Sequence, residues 1–122
     1  KFTDPELANL SDHGRWMGTP HYMSPEQFRG EGIDHRADIY SLGATYFTLL
    51  AGRPPFAGAK ALELVTKHFD EAPPDLRTLV PSMPPACAAI AEKALHKHPA
   101  DRFSSAAEMA DALERAASAF RL

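Results

Sequence analysis

The chain has 122 residues, 44% hydrophobic and 24% charged, which suits one compact soluble domain and excludes an intrinsically disordered chain. A formal net charge of −3, with both signs interspersed, leaves no basic footprint for nucleic acid and no polybasic membrane patch. Cys87 is the only cysteine, so an intrachain disulfide and a multi-cysteine zinc site are excluded, and a reducing compartment fits.

Residues 1–17, KFTDPELANLSDHGRWM, show no sustained helix or strand period and are punctuated by Pro5 and Gly14. They read as a long loop with a brief turn at Glu6–Leu10, and a loop of that length inside a domain is commonly functional. The signals change at Ser24. It can cap a helix, Pro25 occupies the first helical position, and Gln27 stands where a capping-box partner belongs. A short helix is expected to about Arg29, ended by Gly30–Gly32. Between Asp38 and Arg53 there is no charge, and Ile39, Leu42, Tyr46, Phe47, Leu49 and Leu50 spread around much of a helical wheel. That pattern predicts a central helix surrounded on most sides, stopped by Gly52 with Pro54 and Pro55 beyond it. The run is interrupted by Ser41, Thr45 and Thr48 and is too short to span a bilayer.

Three further helices are expected. One covers about Lys60–Phe69, amphipathic through Leu62, Val65 and Phe69. One covers about Pro85–Leu95, packing Ile90, Ala91, Ala94 and Leu95. The last covers about Ser105–Ala119, with a Ser105-x-x-Glu108 capping box and a stripe of Ala106, Met109, Ala110, Leu113, Ala116 and Phe120. No strand, internal repeat or low-complexity segment is apparent. There is no signal peptide pattern, and a first residue of Lys rather than Met fits a piece of a longer chain.

The chemistry-bearing residues are sparse. The seven glycines never form G-x-G-x-x-G or G-x-x-x-x-G-K, so no phosphate cradle is present. Six histidines are scattered without ligand spacing, and no metal site is expected. Ser11 and Thr3 in the leading loop are either ordinary solvated hydroxyls or phosphorylation switches. Glu26 and Arg102 would each alone pass as a surface charge.

Three blocks change that reading: GTPHYMSPEQ (18–27), ADIYSLGATYFTLLAGRPPF (37–56) and KALHKHPADRFSSAAEMADAL (93–113). In order and spacing they resemble the C-terminal lobe of protein serine/threonine kinases, closest to the bacterial branch of the eukaryotic-type family. Ser24 stands where most such kinases have alanine, and serine is the better helix cap. The resemblance implies a mainly α fold: the helical C-terminal lobe, with residues 1–23 as activation segment and substrate-facing loop, and 24–122 as about five helices. It implies that Thr19 orients the catalytic groups and that Pro20 stiffens the loop. It places Met17, Gly18, Tyr22 and Met23 in the loop facing the acceptor. Glu26 is expected to pair with Arg102 in the interior. Asp38 is expected to hold the catalytic-loop backbone as a buried carboxylate, the plainer alternative being a helix-start aspartate favoured by the dipole. Ser11 becomes the first phosphorylation candidate and Thr3 the second.

The string HRAD (His35–Asp38) is a decoy for the family's catalytic H-R-D, because the required asparagine five positions on is replaced by Gly43 and the only asparagine is Asn9. The N-terminal lobe, its ATP-binding groups and the catalytic aspartate are expected to be absent from these residues. ATP and Mg are therefore expected in the intact kinase only, with no cofactor or metal bound by this portion. The resemblance implies protein substrates, the N-terminal kinase lobe as a partner, and the helix near 60–69 as a docking or self-association surface. It also implies a cytoplasmic location, as a free domain or as the cytosolic part of a membrane-anchored kinase. The competing reading is a pseudokinase or truncated kinase-like scaffold.

Overall fold

The computed structural model describes residues 20–58 and 60–119. The leading loop with Thr3, Ser11, Met17, Gly18 and Thr19, and Phe120 at the other end, lie outside the described residues.

The described residues form six helices and one 3₁₀ turn, in order α1 (Pro25–Arg29), α2 (His35–Ala51), α3 (Ala61–Asp70), α4 (Leu76–Leu79), α5 (Pro85–Ala94), the 3₁₀ turn (Pro99–Asp101) and α6 (Ala106–Ser118). The described residues contain no strand, in keeping with the helical lobe that the resemblance implies. None of their helices is long and apolar enough to cross a membrane.

α1 begins as the capping residues predict. The Gln27 N–H donates to Ser24 Oγ at 3.3 Å, and the Ser24 N–H donates to Gln27 Oε1 at 2.9 Å. Two orphan donors of the first turn are thus satisfied reciprocally. α2 starts one turn earlier than Asp38, capped by Asp34, whose carboxylate accepts the Arg36 N–H at 2.9 Å. It stops at Gly52, which takes a left-handed φ of 77° that other residues adopt only with strain.

α2 is the axis of the fold. Tyr40, Ala44 and Phe47 pack with Leu76 of α4 and with Ala91 and Leu95 around α5. Ile39 turns the other way, into a cluster with Ile90, Ala94, Phe103 and the α6 residues Met109 and Ala116. A third, smaller cluster joins α1 to α3 through Phe28 and Val65. Between the first two clusters Gly43 lets α2 approach α5, since a β-carbon there would sit 2.5 Å from the Ala94 Cβ. Position 43 is therefore reserved for close packing.

Several expectations need correction. α2 is covered on most sides but keeps one open stripe, on which Leu42 is 50% and Leu49 79% exposed beside Asp38 and Thr45. α3 buries Leu64 and His68 beside Val65, whereas Leu62 and Phe69 are only half-buried. α4 was not anticipated, because four residues are too few for a period to show. Its marker is Asp75, which caps it by accepting the Arg77 N–H at 2.9 Å. In α6 the inward stripe is Met109, Ala112, Leu113 and Ala116, and both Ala106 and Ala110 face solvent. The Ser105 box is displaced: Ser105 Oγ accepts the Glu108 N–H, but Glu108 accepts from Ser104 N–H rather than from Ser105.

Gly43→Ala tests the α2–α5 approach. On an open helix face the change stabilises by about 0.5–1 kcal/mol. Here the new methyl overpacks Ala94, and urea unfolding should show a loss of about 1–3 kcal/mol, partly recovered in Gly43→Ala/Ala94→Gly. A gain from the single change would contradict the close approach.

Candidate functional site

The loop Pro20–Met23 runs directly into α1, and α1 is only five residues long. A helix so short has no stability of its own. It is held from below by Arg102, which follows the 3₁₀ turn. Arg102 Nη1 donates to Glu26 Oε2 at 2.6 Å, and Nη2 donates to Glu26 Oε1 at 2.8 Å. The remaining donors are also placed: Nε to the His96 carbonyl at 2.7 Å, Nη1 to that of Arg36 at 2.9 Å, and Nη2 to that of Lys97 at 3.0 Å. All five guanidinium N–H groups are used. The Arg102 side chain is fully buried and that of Glu26 nearly so. A buried charge pair is tolerated only when its geometry is good and its leftover donors are met, and both conditions hold here.

The guanidinium lies 4.9 Å over the Tyr40 ring. Tyr40 in turn meets His68 of α3, its hydroxyl 2.6 Å from Nδ1. Both residues are completely buried, and the phenol is pushed well above its ordinary pKa by burial. His68 sits among the rings of Phe28, Tyr40 and Phe56. Burial, reinforced by the nearby Lys97 charge, lowers its pKa to about 3, so the imidazole is neutral at physiological pH. Lys97 covers the Phe56 ring at 4.5 Å, and burial draws its own pKa down to about 8. Beneath the loop Pro20–Met23 the side chains thus form one buried series: Glu26, Arg102, Tyr40, His68.

Of the residues singled out from sequence, Glu26 and Arg102 are brought together. Pro20 and Tyr22 are half-buried at the head of the loop, Tyr22 packing against the Tyr40–Phe47 cluster. Met23 is a correction: it is 5% exposed and packed against Phe28 and Val65, so it pins the loop to the core and presents no open surface to an acceptor. Asp38 is exposed in the first turn of α2, where the helix dipole favours a carboxylate, and the catalytic-loop backbone that it is expected to hold is not among the described residues. The outward face of α3, the helix expected to serve docking or self-association, carries Glu63, Thr66 and Asp70 and is polar.

His68 and Tyr40 were missed. The available signal was a lone histidine three and four positions after Val65 and Leu64, on the inner face of an amphipathic helix. A cleft of about 320 Å³ lined by Phe47, Leu76, Leu95, Pro73, Pro74 and Lys97 receives none of the loop residues 20–23 and belongs to the α4–α5 packing.

His68 also predicts a pH dependence. Its folded pKa, about 3, lies below the ordinary 6.5, so the unfolded chain binds the extra proton first. Its contribution to stability is complete above pH 6.5 and is lost as pH falls towards 3, with a slope of up to about 1.4 kcal/mol per pH unit. Urea unfolding of wild type and His68→Gln between pH 7.5 and 4.5 should show the wild type losing more stability. Parallel curves would mean that the histidine is not held neutral.

Known proteins share this sequence pattern. The chain is 41% identical over 108 residues to serine/threonine-protein kinase PksC of Streptomyces coelicolor, covering 88% of this chain and 19% of that protein. It is 44% identical over 99 residues to serine/threonine-protein kinase pkn3 of Myxococcus xanthus, covering 80% of this chain and 18% of that protein. It is 38% identical over 108 residues to serine/threonine-protein kinase PknA of Mycobacterium tuberculosis, covering 88% and 24%. The chain thus spans less than a quarter of the length of these relatives. The family model for the protein kinase domain matches residues 3–114, and on that match the chain belongs to the protein kinase family.

Proposed function

We propose that these residues are the substrate-facing helical portion of a protein serine/threonine kinase, which in the intact enzyme moves the γ-phosphate of ATP to serine or threonine hydroxyls of proteins. The observation that carries this reading is the Glu26–Arg102 clasp beneath the loop Pro20–Met23. A loop that must hold an acceptor hydroxyl in line with a phosphoryl group needs a rigid floor, since phosphoryl transfer depends on positioning and charge stabilisation. Thr19 is the residue proposed to orient the catalytic groups. Ser11, then Thr3, are the proposed phosphorylation sites, where about two negative charges would be added.

The described residues do not fit ATP and Mg. They offer no glycine-rich cradle, and no three of their His, Cys, Asp or Glu side chains converge as metal ligands. No step through the nucleotide is assigned to them. The exposed stripe of Leu42 and Leu49 beside Asp38 supports the same reading, because it is apolar surface suited to further kinase elements.

The test compares these 122 residues alone with the full kinase chain, using labelled ATP and a serine/threonine peptide. The isolated residues should give no transfer above a Thr19→Ala control. The full chain should transfer phosphate, and Thr19→Ala should slow it by about 100-fold. Turnover by the isolated residues would refute the assignment of inactivity. A full chain that binds partners without transferring phosphate would replace the kinase reading with a scaffold.

A further inference from the structure

Lys97 extends the buried series outwards and carries a charge that the fold leaves without a counter-ion. Its ammonium lies 4.5 Å over the Phe56 ring, and that ring meets His68 at 4.9 Å. Its side-chain hydrogen bond is a long one, 3.4 Å to the Lys67 carbonyl of α3. The other described lysines differ. Lys67 pairs with Glu63 at 3.8 Å and donates to the Ala57 carbonyl, while Lys60 and Lys93 are exposed to water. Lys97 is half-buried, and neither Asp70 and Glu71 at the end of α3 nor Asp75 and Glu92 across the neighbouring cleft close an ion pair with it. An ammonium drawn out of water and not held by a carboxylate gives up its proton easily, and the free amine is a nucleophile. Burial draws the Lys97 pKa down to about 8, against the nearby Glu71 and Asp70 charges and together with that of Arg102. About a quarter of these side chains then carry a free amine at pH 7.5, against about one in a thousand for an ordinary lysine.

We propose that Lys97 is an acyl-acceptor site: its Nζ takes a short acyl group from an acyl phosphate entering the cleft of about 320 Å³ whose wall it shares with Phe47, Leu76, Leu95 and His96. The neutral Nζ attacks the carbonyl carbon and the C–N bond forms. The C–O bond to phosphate breaks with its electron pair, and the amine proton leaves with the phosphate. The product is an uncharged amide, and no oxidant or reductant takes part. A small anionic donor suits a cleft of that size with a cation in its wall, and the acyl chain suits the apolar side chains beside it. The loss of charge reaches the clasp. The Lys97 carbonyl accepts from Arg102 Nη2 at 3.0 Å, and its side chain caps the Phe56 ring that meets His68, so neutralising it loosens the join to α3. The site stands whether or not the intact chain transfers phosphate.

The test treats the full chain with acetyl phosphate at pH 7.5 and follows each lysine by peptide mass spectrometry. Lys97 should be acetylated about tenfold faster than Lys60 and Lys93. Its rate should level off above about pH 8 while theirs keep rising. In urea the preference should vanish, because the unfolded chain restores an ordinary amine. A preference that survives in urea would assign the reactivity to the flanking His96 and His98 and overturn the site. A Lys97 rate no greater than those of the two exposed lysines would also overturn it. For the link to α3, Lys97→Gln carries the neutral amide and should raise amide exchange at Val65–His68 about tenfold, whereas Lys97→Arg keeps the charge and should not. Unchanged exchange in Lys97→Gln would overturn that link.

Discussion

Everything that positions the loop Pro20–Met23 depends on one buried ion pair. Glu26 lies on a helix of five residues that could not persist alone, and Arg102 lies on an irregular segment after a single 3₁₀ turn. Each buries one aromatic ring at or beside it, Phe28 against Val65 and Phe103 beside Ile39, but each is too short to hold its own shape. The guanidinium joins them and gathers three backbone carbonyls from the turns on either side. An exposed pair between the same residue types would contribute little. Here removal from water makes an unmet donor expensive, so the geometry is confined to the one arrangement that satisfies all five N–H groups.

The clasp works because α2 gives it a wall. Tyr40 presents its ring to Arg102 and its hydroxyl to His68, so one side chain couples the base of the lobe to α3. The same helix admits α5 at Gly43 and sends Ile39 into the α6 cluster. Its remaining face, with Leu42 and Leu49, is open among the described residues. α2 therefore has the composition of a fully enclosed helix and the exposure of a partly enclosed one, which suits a scaffold onto which further elements pack.

Much of the architecture was legible because it is written in local chemistry. Ser24, Pro25 and Gln27 mark the start of α1 by capping alone, and Gly52 marks the end of α2 by its left-handed backbone. Long periodic segments such as α5 were readable for the same reason. α4 escaped because a single turn has no periodicity, and only Asp75 announced it. His68 escaped because sequence shows that a residue lies on an inner helix face but not which polar atoms meet it there. Met23 was misplaced because Phe28 and Val65 converge on it and bury it, which no spacing in the sequence shows. Ala106 and Ala110 show that alanine suits helix whether or not it is covered, so it marks a helix better than a buried face.

The central claim is that Glu26 and Arg102 are energetically one unit. A double-mutant cycle of unfolding free energies with Glu26→Ala, Arg102→Met and the pair measures this directly. The account predicts that each single change costs about 3–5 kcal/mol, because each strands a buried partner, and that the double change costs well below the sum. Additive costs, or single changes below about 1 kcal/mol, would show an ordinary surface pair and contradict the account.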